Sequence, residues 1–178
     1  QMPPSFLKWN SLIFNKLFLK PVLIFLAVLV LIGCQGSKYQ WFDGTFDEAK
    51  LAAGSKLILL KFYTNTWAAC IRLDVETLRD SLVQAFSKEH FISLKYNAND
   101  ELGNQYYKQY NCQRVPHLLF VDSEGNEVDR IIGFLPPTEY LLRIKDIAKK
   151  RNTLDDYLSS YENGNVSADI IAGIAMKY

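Results

Sequence analysis

Few side chains in this sequence could do chemistry on a bound molecule, and the cysteines come first. There are three of them, Cys34, Cys70 and Cys112, and two histidines, His90 and His117. A thiolate can attack a disulfide or ligate a metal ion. Three cysteines are too few for a disulfide-stapled scaffold, and so few histidines argue against a histidine-based metal site. We therefore expect no metal and no cofactor.

Cys34 ends an N-terminal segment that has the pattern of a secretory signal. Lys16 and Lys20 precede the apolar run 21–32, and Gly33 is the small residue before the cysteine. The run of 12 residues is short for a membrane-spanning helix, which needs about 20. A longer apolar stretch that begins further upstream would instead make an uncleaved membrane anchor. Residues 1–33 are therefore predicted to be a signal peptide or a membrane anchor.

The residues around Cys34 point to lipidation. Leu31-Ile-Gly-Cys34 resembles the lipobox of bacterial lipoproteins, and this resemblance implies that Cys34 is acylated and becomes the first mature residue. Buried acyl chains anchor a protein firmly, at about 0.8 kcal/mol per CH₂ group. We predict a lipidated tether at 34–40 and a membrane-anchored lipoprotein of the bacterial cell envelope, facing the periplasm or the exterior.

The charge balance limits the partners of the remaining chain. The 178 residues carry a net charge of +1, and 22% of them are charged. The N-terminal segment has three lysines and no acid, which leaves 17 basic against 19 acidic residues after position 33. A nucleic-acid-binding protein would normally show a basic excess. We expect no nucleic acid as a partner.

Residues 41–150 show the alternating pattern of an α/β domain. Thr45 and Glu48 have the spacing of a capping box, and Leu57 to Tyr63 is an apolar run of strand length. Gly125 is placed for positive φ in a tight hairpin turn. The order β-α-β-α-β-β-α predicts one mixed sheet with helices on both faces. The predicted elements are a helix at 45–53, a strand at 57–63, two helices over 68–86 that meet near Asp80, a strand at 91–96, a helix at 101–110, strands at 117–121 and 127–133, and a helix at 136–150.

The C-terminal extension, residues 151–178, breaks this order. Two short helical patterns begin after Thr153 and at Ser167, with Asn163-Gly-Asn165 between them. The last helix has apolar positions without an obvious partner. It either docks on the core or opens a helical repeat used for assembly.

Several ordered motifs in residues 41–150 resemble the thioredoxin-fold family, and the similarity is greatest to its envelope lipoproteins. The motifs are Leu57 to Phe62, Trp67-Ala-Ala-Cys70, Val115-Pro116 and Arg130-Ile-Ile-Gly-Phe-Leu-Pro-Pro137. The resemblance implies a thioredoxin-like mixed central sheet flanked by helices. It also implies a Cys-x-x-Cys at a helix N-terminus, where the helix dipole stabilises the first thiolate and the second thiol resolves the mixed disulfide.

This sequence departs from the family at the reactive thiol. Counted from Phe62, Trp67 stands at the position of the first cysteine and Cys70 at that of the second. Placing Trp67 on the tryptophan that precedes this cysteine in the family would instead require a deletion, and the first cysteine is lost in either case. Lys61 occupies the position of the buried Asp that assists the resolving thiol in active thioredoxins. We expect the Lys61 stem to pack on apolar neighbours while its amine reaches solvent. The two substitutions argue against two-thiol catalysis and predict a redox-degenerate site.

Two residues could still act as a partner of Cys70. Cys112 could form a disulfide with it, which requires the two Cα atoms within about 7 Å. His117 could act as a base beside it. The alternative is that Cys112 is a buried, inert thiol and that His117 is structural.

Among the family's functional residues, the one that this sequence retains most clearly is the proline Pro116, which we predict to follow a cis peptide bond. In the family this proline presents backbone to an extended substrate segment. Trp67, Val115, Pro116 and His117 would then line a shallow binding surface with the indole as its anchor. We therefore expect a module that binds an extended polypeptide or an envelope protein. The alternative is a thiol–disulfide oxidoreductase that works through the single thiol of Cys70.

Overall fold

The structure is a computed structural model that describes residues 38–178. The predictions for residues 1–33 and for Cys34 lie outside the described residues. The helices are α1 (Phe46–Ala52), α2 (Ala68–Arg72, continued by a π-helical turn at Leu73–Thr77), α3 (Ser81–His90), α4 (Glu101–Gln109), α5 (Pro137–Ala148), α6 (Leu154–Glu162) and α7 (Ala168–Ala175), and the strands are β1 (Leu57–Tyr63), β2 (Phe91–Asn97), β3 (His117–Val121) and β4 (Glu127–Ile132).

The four strands form one mixed sheet in the order β2-β1-β3-β4. Strand β1 pairs in parallel with β2 and antiparallel with β3, and β3 and β4 form the antiparallel hairpin. Gly125 has φ +90° in the turn of that hairpin, a backbone conformation that glycine adopts without strain. The predicted β-α-β-α-β-β-α order is confirmed.

Side chains alternate between two hydrophobic cores on opposite faces of the sheet, as the two-residue period of a strand requires. On one face Leu57 and Leu59 pack with Tyr140 and Ile144 of α5. On the other face Ile58, Leu60 and Phe62 pack with α1 and with tyrosines of α4. Because β1 is the central strand and both of its faces are covered, it consists of a nearly continuous apolar run.

Local side-chain hydrogen bonds fix where two of these helices begin. The Thr45 hydroxyl accepts a hydrogen bond from the Glu48 N–H, and the Glu48 carboxylate accepts one from the Thr45 N–H, which completes the predicted capping box. Asp80 caps α3 by accepting hydrogen bonds from the N–H groups of Leu82 and Val83. The predicted break near Asp80 is therefore the start of α3, and the preceding segment is distorted into a π-helical turn.

The C-terminal helices dock on the domain. Helix α7 packs against α6 where Gly173 meets the ring of Tyr157, so closely that a Cβ atom on Gly173 would lie 2.6 Å from the ring. Beyond α7, the Lys177 ammonium donates to both carboxylate oxygens of Asp129 in β4, at 2.9 and 2.8 Å. Arg143 of α5 contacts the same carboxylate at 2.8 Å. Asp129 is fully buried, so this ion cluster joins the C-terminal extension to the sheet.

The mixed sheet with helices on both faces is the thioredoxin fold that the sequence predicts. Among residues 38–178, none of the helices combines the length and the hydropathy that a bilayer crossing requires.

Candidate functional site

Trp67 stands at the carboxyl end of β1, after the loop 64–66, as the residue that precedes the first turn of α2. Its carbonyl accepts hydrogen bonds from the N–H groups of Cys70 and Ile71, at 2.9 and 3.2 Å. Its side chain makes no capping hydrogen bond and is 58% exposed. An indole therefore projects at the start of α2, where the resemblance to the family predicts the first cysteine.

Cys70 lies one turn into α2 and is only 1% exposed. Burial raises the pKa of the Cys70 thiol, whereas hydrogen bonding with Thr64 and the positive charge of Lys61 lower it by less. The neutral thiol is therefore the favoured form. Since the thiolate is the attacking species and must reach its substrate, this environment opposes nucleophilic chemistry on both counts.

The expectation for Lys61 was wrong, because its amine does not reach solvent. Lys61 is 1% exposed, and its ammonium pairs with the carboxylate of Asp74 in the π-helical turn. The ammonium also lies 5.6 Å from the centre of the Trp41 ring and 5.1 Å from that of Tyr63. An ion pair and two aromatic rings therefore replace water around this charge.

The peptide bond between Val115 and Pro116 is cis, as predicted. Val115 is half-buried and Pro116 is buried, and the Pro116 carbonyl accepts a hydrogen bond from the Gly133 N–H at 2.8 Å. The proline loop is thus tied to the end of β4. Its use as a binding edge stays a prediction.

His117 is not on the surface where we expected it. Its side chain is fully buried. It is paired in register with Phe62, so both rings project to one face of the sheet, with their centres 6.5 Å apart. Burial, with a smaller contribution from the charge of Arg130, lowers the pKa of His117 to about 4. The imidazole is therefore neutral near pH 7 and structural in character.

In the structure Cys70 is paired neither with Cys112 nor with His117. Cys70 and Cys112 are both free thiols. Cys112 is buried in the core below Phe62, and burial raises its pKa to about 12. Successive strand residues alternate between faces, so His117 and Phe62 project from the face opposite to that of Lys61. Because Lys61 lies near Cys70, His117 is not placed to act as a base for the Cys70 thiol.

Sequence reasoning missed two features of this region. One is the partnership of Lys61 with Asp74, which are 13 positions apart on a strand and a helix. The other is a row of exposed apolar side chains at four-residue spacing, Trp67, Ile71 and Val75, which are 58%, 48% and 44% exposed. Four-residue spacing from Trp67 could have revealed the row. Within residues 38–178, no group of three or more His, Cys, Asp or Glu side chains could hold a metal ion.

The sheet order, the cis proline and the helix that follows β1 define a protein of the thioredoxin-fold class. The family model for the thioredoxin-like domain matches residues 43–148. The chain therefore belongs to the thioredoxin-like domain family.

Individual relatives include proteins with and without disulfide chemistry in their names. The thiol:disulfide interchange protein DsbD of Yersinia pestis is 28% identical over 103 residues, which cover 56% of this chain and 17% of that protein. The UBX domain-containing protein 2 of Schizosaccharomyces pombe is 25% identical over 105 residues, which cover 57% of this chain and 25% of that protein. The chain thus spans a quarter or less of the length of these curated relatives.

A solved structure supports the same fold. The solution structure of a candidate disulphide-isomerase from Bacteroides thetaiotaomicron matches with a TM-score of 0.57 at 29% identity. The match covers 65% of this chain and 98% of that one. The similarity reaches across one whole thioredoxin-like domain.

The buried imidazole of His117 predicts a specific pH dependence of stability. Its pKa is about 4 in the folded protein and about 6.5 in an unfolded chain. Between these values the unfolded chain binds the proton and the folded protein does not, so stability is lost as the pH falls through this window. Between pH 7 and pH 5 the loss attributable to His117 is about 2 kcal/mol.

Urea unfolding of the wild type and of His117→Leu at both pH values measures this contribution. The free energy of unfolding of the wild type should fall by about 2 kcal/mol more than that of the variant. Equal losses in the two proteins would show that His117 does not titrate in this way.

Proposed function

We propose that this chain is a membrane-anchored, thioredoxin-like protein of the bacterial cell envelope that binds an extended polypeptide or an envelope partner without exchanging disulfides. The observation that carries the proposal is the exposed indole of Trp67 at the position of the family's first thiol, one helical turn before a buried Cys70. In this proposal the cis Val115–Pro116 segment retains the binding role of the family's site, and Trp67 replaces the nucleophile.

The loss of redox chemistry follows from the steps of thiol–disulfide exchange. A thiolate attacks one sulfur of the substrate disulfide, and a second thiol then releases the mixed disulfide. Cys70 is buried and its pKa is raised. Within residues 38–178 the other thiol is Cys112, which is also buried. Neither of these two described thiols is suited to the attack or to the release.

The alternative is a single-thiol oxidoreductase that uses Cys70. The name of the DsbD relative favours it, and so does the positive charge of Lys61, which lowers the pKa of Cys70. Burial acts more strongly in the opposite direction. The two hypotheses therefore differ in one property, the reactivity of Cys70 in the folded protein.

Alkylation of the native full-length chain distinguishes them. We expect Cys70 to react with iodoacetamide at pH 7.5 about a hundredfold more slowly in the folded protein than in denaturant, because burial excludes both the thiolate and the reagent. Peptide mass spectrometry resolves the individual cysteines. The double variant Trp67→Cys, Cys70→Ser supplies an exposed thiol in the same turn as a fast-reacting control that has no neighbouring thiol to pair with. Native labelling of Cys70 at the rate of that control would favour the oxidoreductase.

The binding surface that we propose is centred on the exposed apolar row of Trp67, Ile71 and Val75. Contiguous exposed apolar side chains on a folded domain mark interaction sites, and tryptophan contributes most to such contacts. The guanidinium carbon of Arg72, beside Ile71 in sequence, lies 4.0 Å from the centre of the Phe134 ring. The cis Val115–Pro116 segment would supply backbone groups for an extended partner.

Binding can be tested without any redox chemistry. A fluorescently labelled, permanently unfolded polypeptide that lacks cysteine should bind the wild type, as measured by anisotropy. Trp67→Ala should weaken this binding at least about tenfold, since a buried anchor of this type contributes 2 kcal/mol or more. Leu142→Ala removes an apolar side chain of similar exposure, 61%, on α5 and should leave the affinity unchanged. An equal effect of both variants, or of neither, would contradict the proposed surface.

The location in the envelope is proposed from the lipobox-like sequence at Cys34 and from the bacterial relatives. Acylation of Cys34 would place the domain at a membrane surface, with residues 34–40 as its tether.

A further inference from the structure

A pocket of about 380 Å³ lies at the carboxyl ends of β1 and β2, on the face that carries Lys61. Lys61 and Lys95 are register partners on these parallel strands, so their side chains project side by side. Like charges in directly paired positions repel each other. This arrangement concentrates positive charge at one point of the sheet.

The cations in the pocket outnumber the acids. The charged residues that line it are Lys38, Lys61, Arg79, Lys95 and Asp74. Asp74 pairs with Lys61. Among residues 38–178, Lys38, Arg79 and Lys95 form no ion pair with an acidic side chain within 4.0 Å. Three positive charges are therefore left without a carboxylate in one concave site.

Aromatic side chains form the wall of the same pocket. The Trp41 ring lies 5.6 Å from the Lys61 ammonium and 5.7 Å from that of Lys95. Tyr39 packs against Trp41 with ring centres 4.6 Å apart, and its hydroxyl is hydrogen-bonded to the Ser93 hydroxyl at 3.0 Å. The wall is thus held in place by contacts within the domain and offers a flat apolar surface beside the charges.

Lys61 gives this pocket a buried cation that is only partly compensated. The side chain of Lys61 is 1% exposed, whereas that of Asp74 is 45% exposed. A buried charge needs close compensation, and a carboxylate that is partly solvated provides less of it. Burial lowers the pKa of Lys61, and the contacts with Asp74 oppose this. An anion in the pocket would add to the compensation that Asp74 provides.

We propose that this pocket binds a small phosphorylated molecule, with its phosphoryl group beside Arg79, Lys95 and Lys61 and its organic part against Trp41. A phosphoryl group carries up to two negative charges, which would offset two of the three uncompensated cations, and the guanidinium fork of arginine suits its oxygens. The site is separate from the exposed row around Trp67 and does not depend on the proposed polypeptide binding.

Calorimetric titration of the full-length chain at constant ionic strength tests the proposal, with phenyl phosphate and inorganic phosphate as probes. We expect saturable binding of one phenyl phosphate per chain, tighter than that of inorganic phosphate because only the former contacts Trp41. The double variant Arg79→Gln, Lys95→Gln should weaken binding at least about tenfold. The matched double variant Lys108→Gln, Lys149→Gln removes the same charge from exposed positions outside the pocket and should have no effect.

A variant that is expected to tighten phosphate binding, and not to weaken it, provides a second test. Asp74→Asn removes the acid from the pocket, so it should tighten phosphate binding severalfold and increase the rise in melting temperature that the ligand produces. Glu89→Gln removes one negative charge from an exposed position of α3 and should leave both quantities unchanged. Because each melting temperature is compared with and without ligand, a loss of stability in Asp74→Asn does not obscure the result.

Three outcomes would overturn the proposal. One is the absence of saturable binding up to about 10 mM phenyl phosphate. Another is an equal loss of affinity in the pocket variants and in their charge-matched controls, which would indicate non-specific attraction. The third is tighter binding of an unphosphorylated glutamate-rich peptide at the same residues, which would assign the pocket to acidic protein segments.

Discussion

Whether this domain exchanges disulfides depends on the burial of the Cys70 thiol. Thiol–disulfide exchange needs a thiolate that a substrate sulfur can reach. In this chain the exposed position at the start of α2 holds the indole of Trp67, and the sulfur lies one turn further in, where burial raises its pKa. The helix N-terminus keeps its favourable dipole, but the position that benefits from it carries no thiol.

The surroundings of Cys70 are arranged around a cation. Lys61 is buried beside the rings of Trp41 and Tyr63 and is paired with Asp74. The resemblance to active thioredoxins places Lys61 at the position of their buried aspartate. A charged lysine cannot accept a proton from a resolving thiol. The same substitution joins Lys95 and Arg79 in a pocket with excess positive charge. Lys61 therefore gives this face of the sheet a positive electrostatic character.

Local patterns predicted most of the fold. The apolar run of β1 and the capping box at Thr45 were predicted at the observed positions, since each depends on residues close in sequence. The environments of Lys61 and His117 were not, because they depend on an ion-pair partner from another element and on strand register. The C-terminal extension is joined to the sheet by an ion pair between Lys177 and Asp129, 48 positions apart, which no local pattern reveals.

The replacement of the family's attacking thiol by Trp67 is tested most directly by turnover of a disulfide substrate. The full-length wild type should reduce insulin with dithiothreitol no faster than the reagent alone, and Cys70→Ser should give the same rate. Trp67→Cys, which restores two cysteines at the family's spacing, should raise the rate above this background. Substantial turnover by the wild type that is abolished in Cys70→Ser would contradict the account.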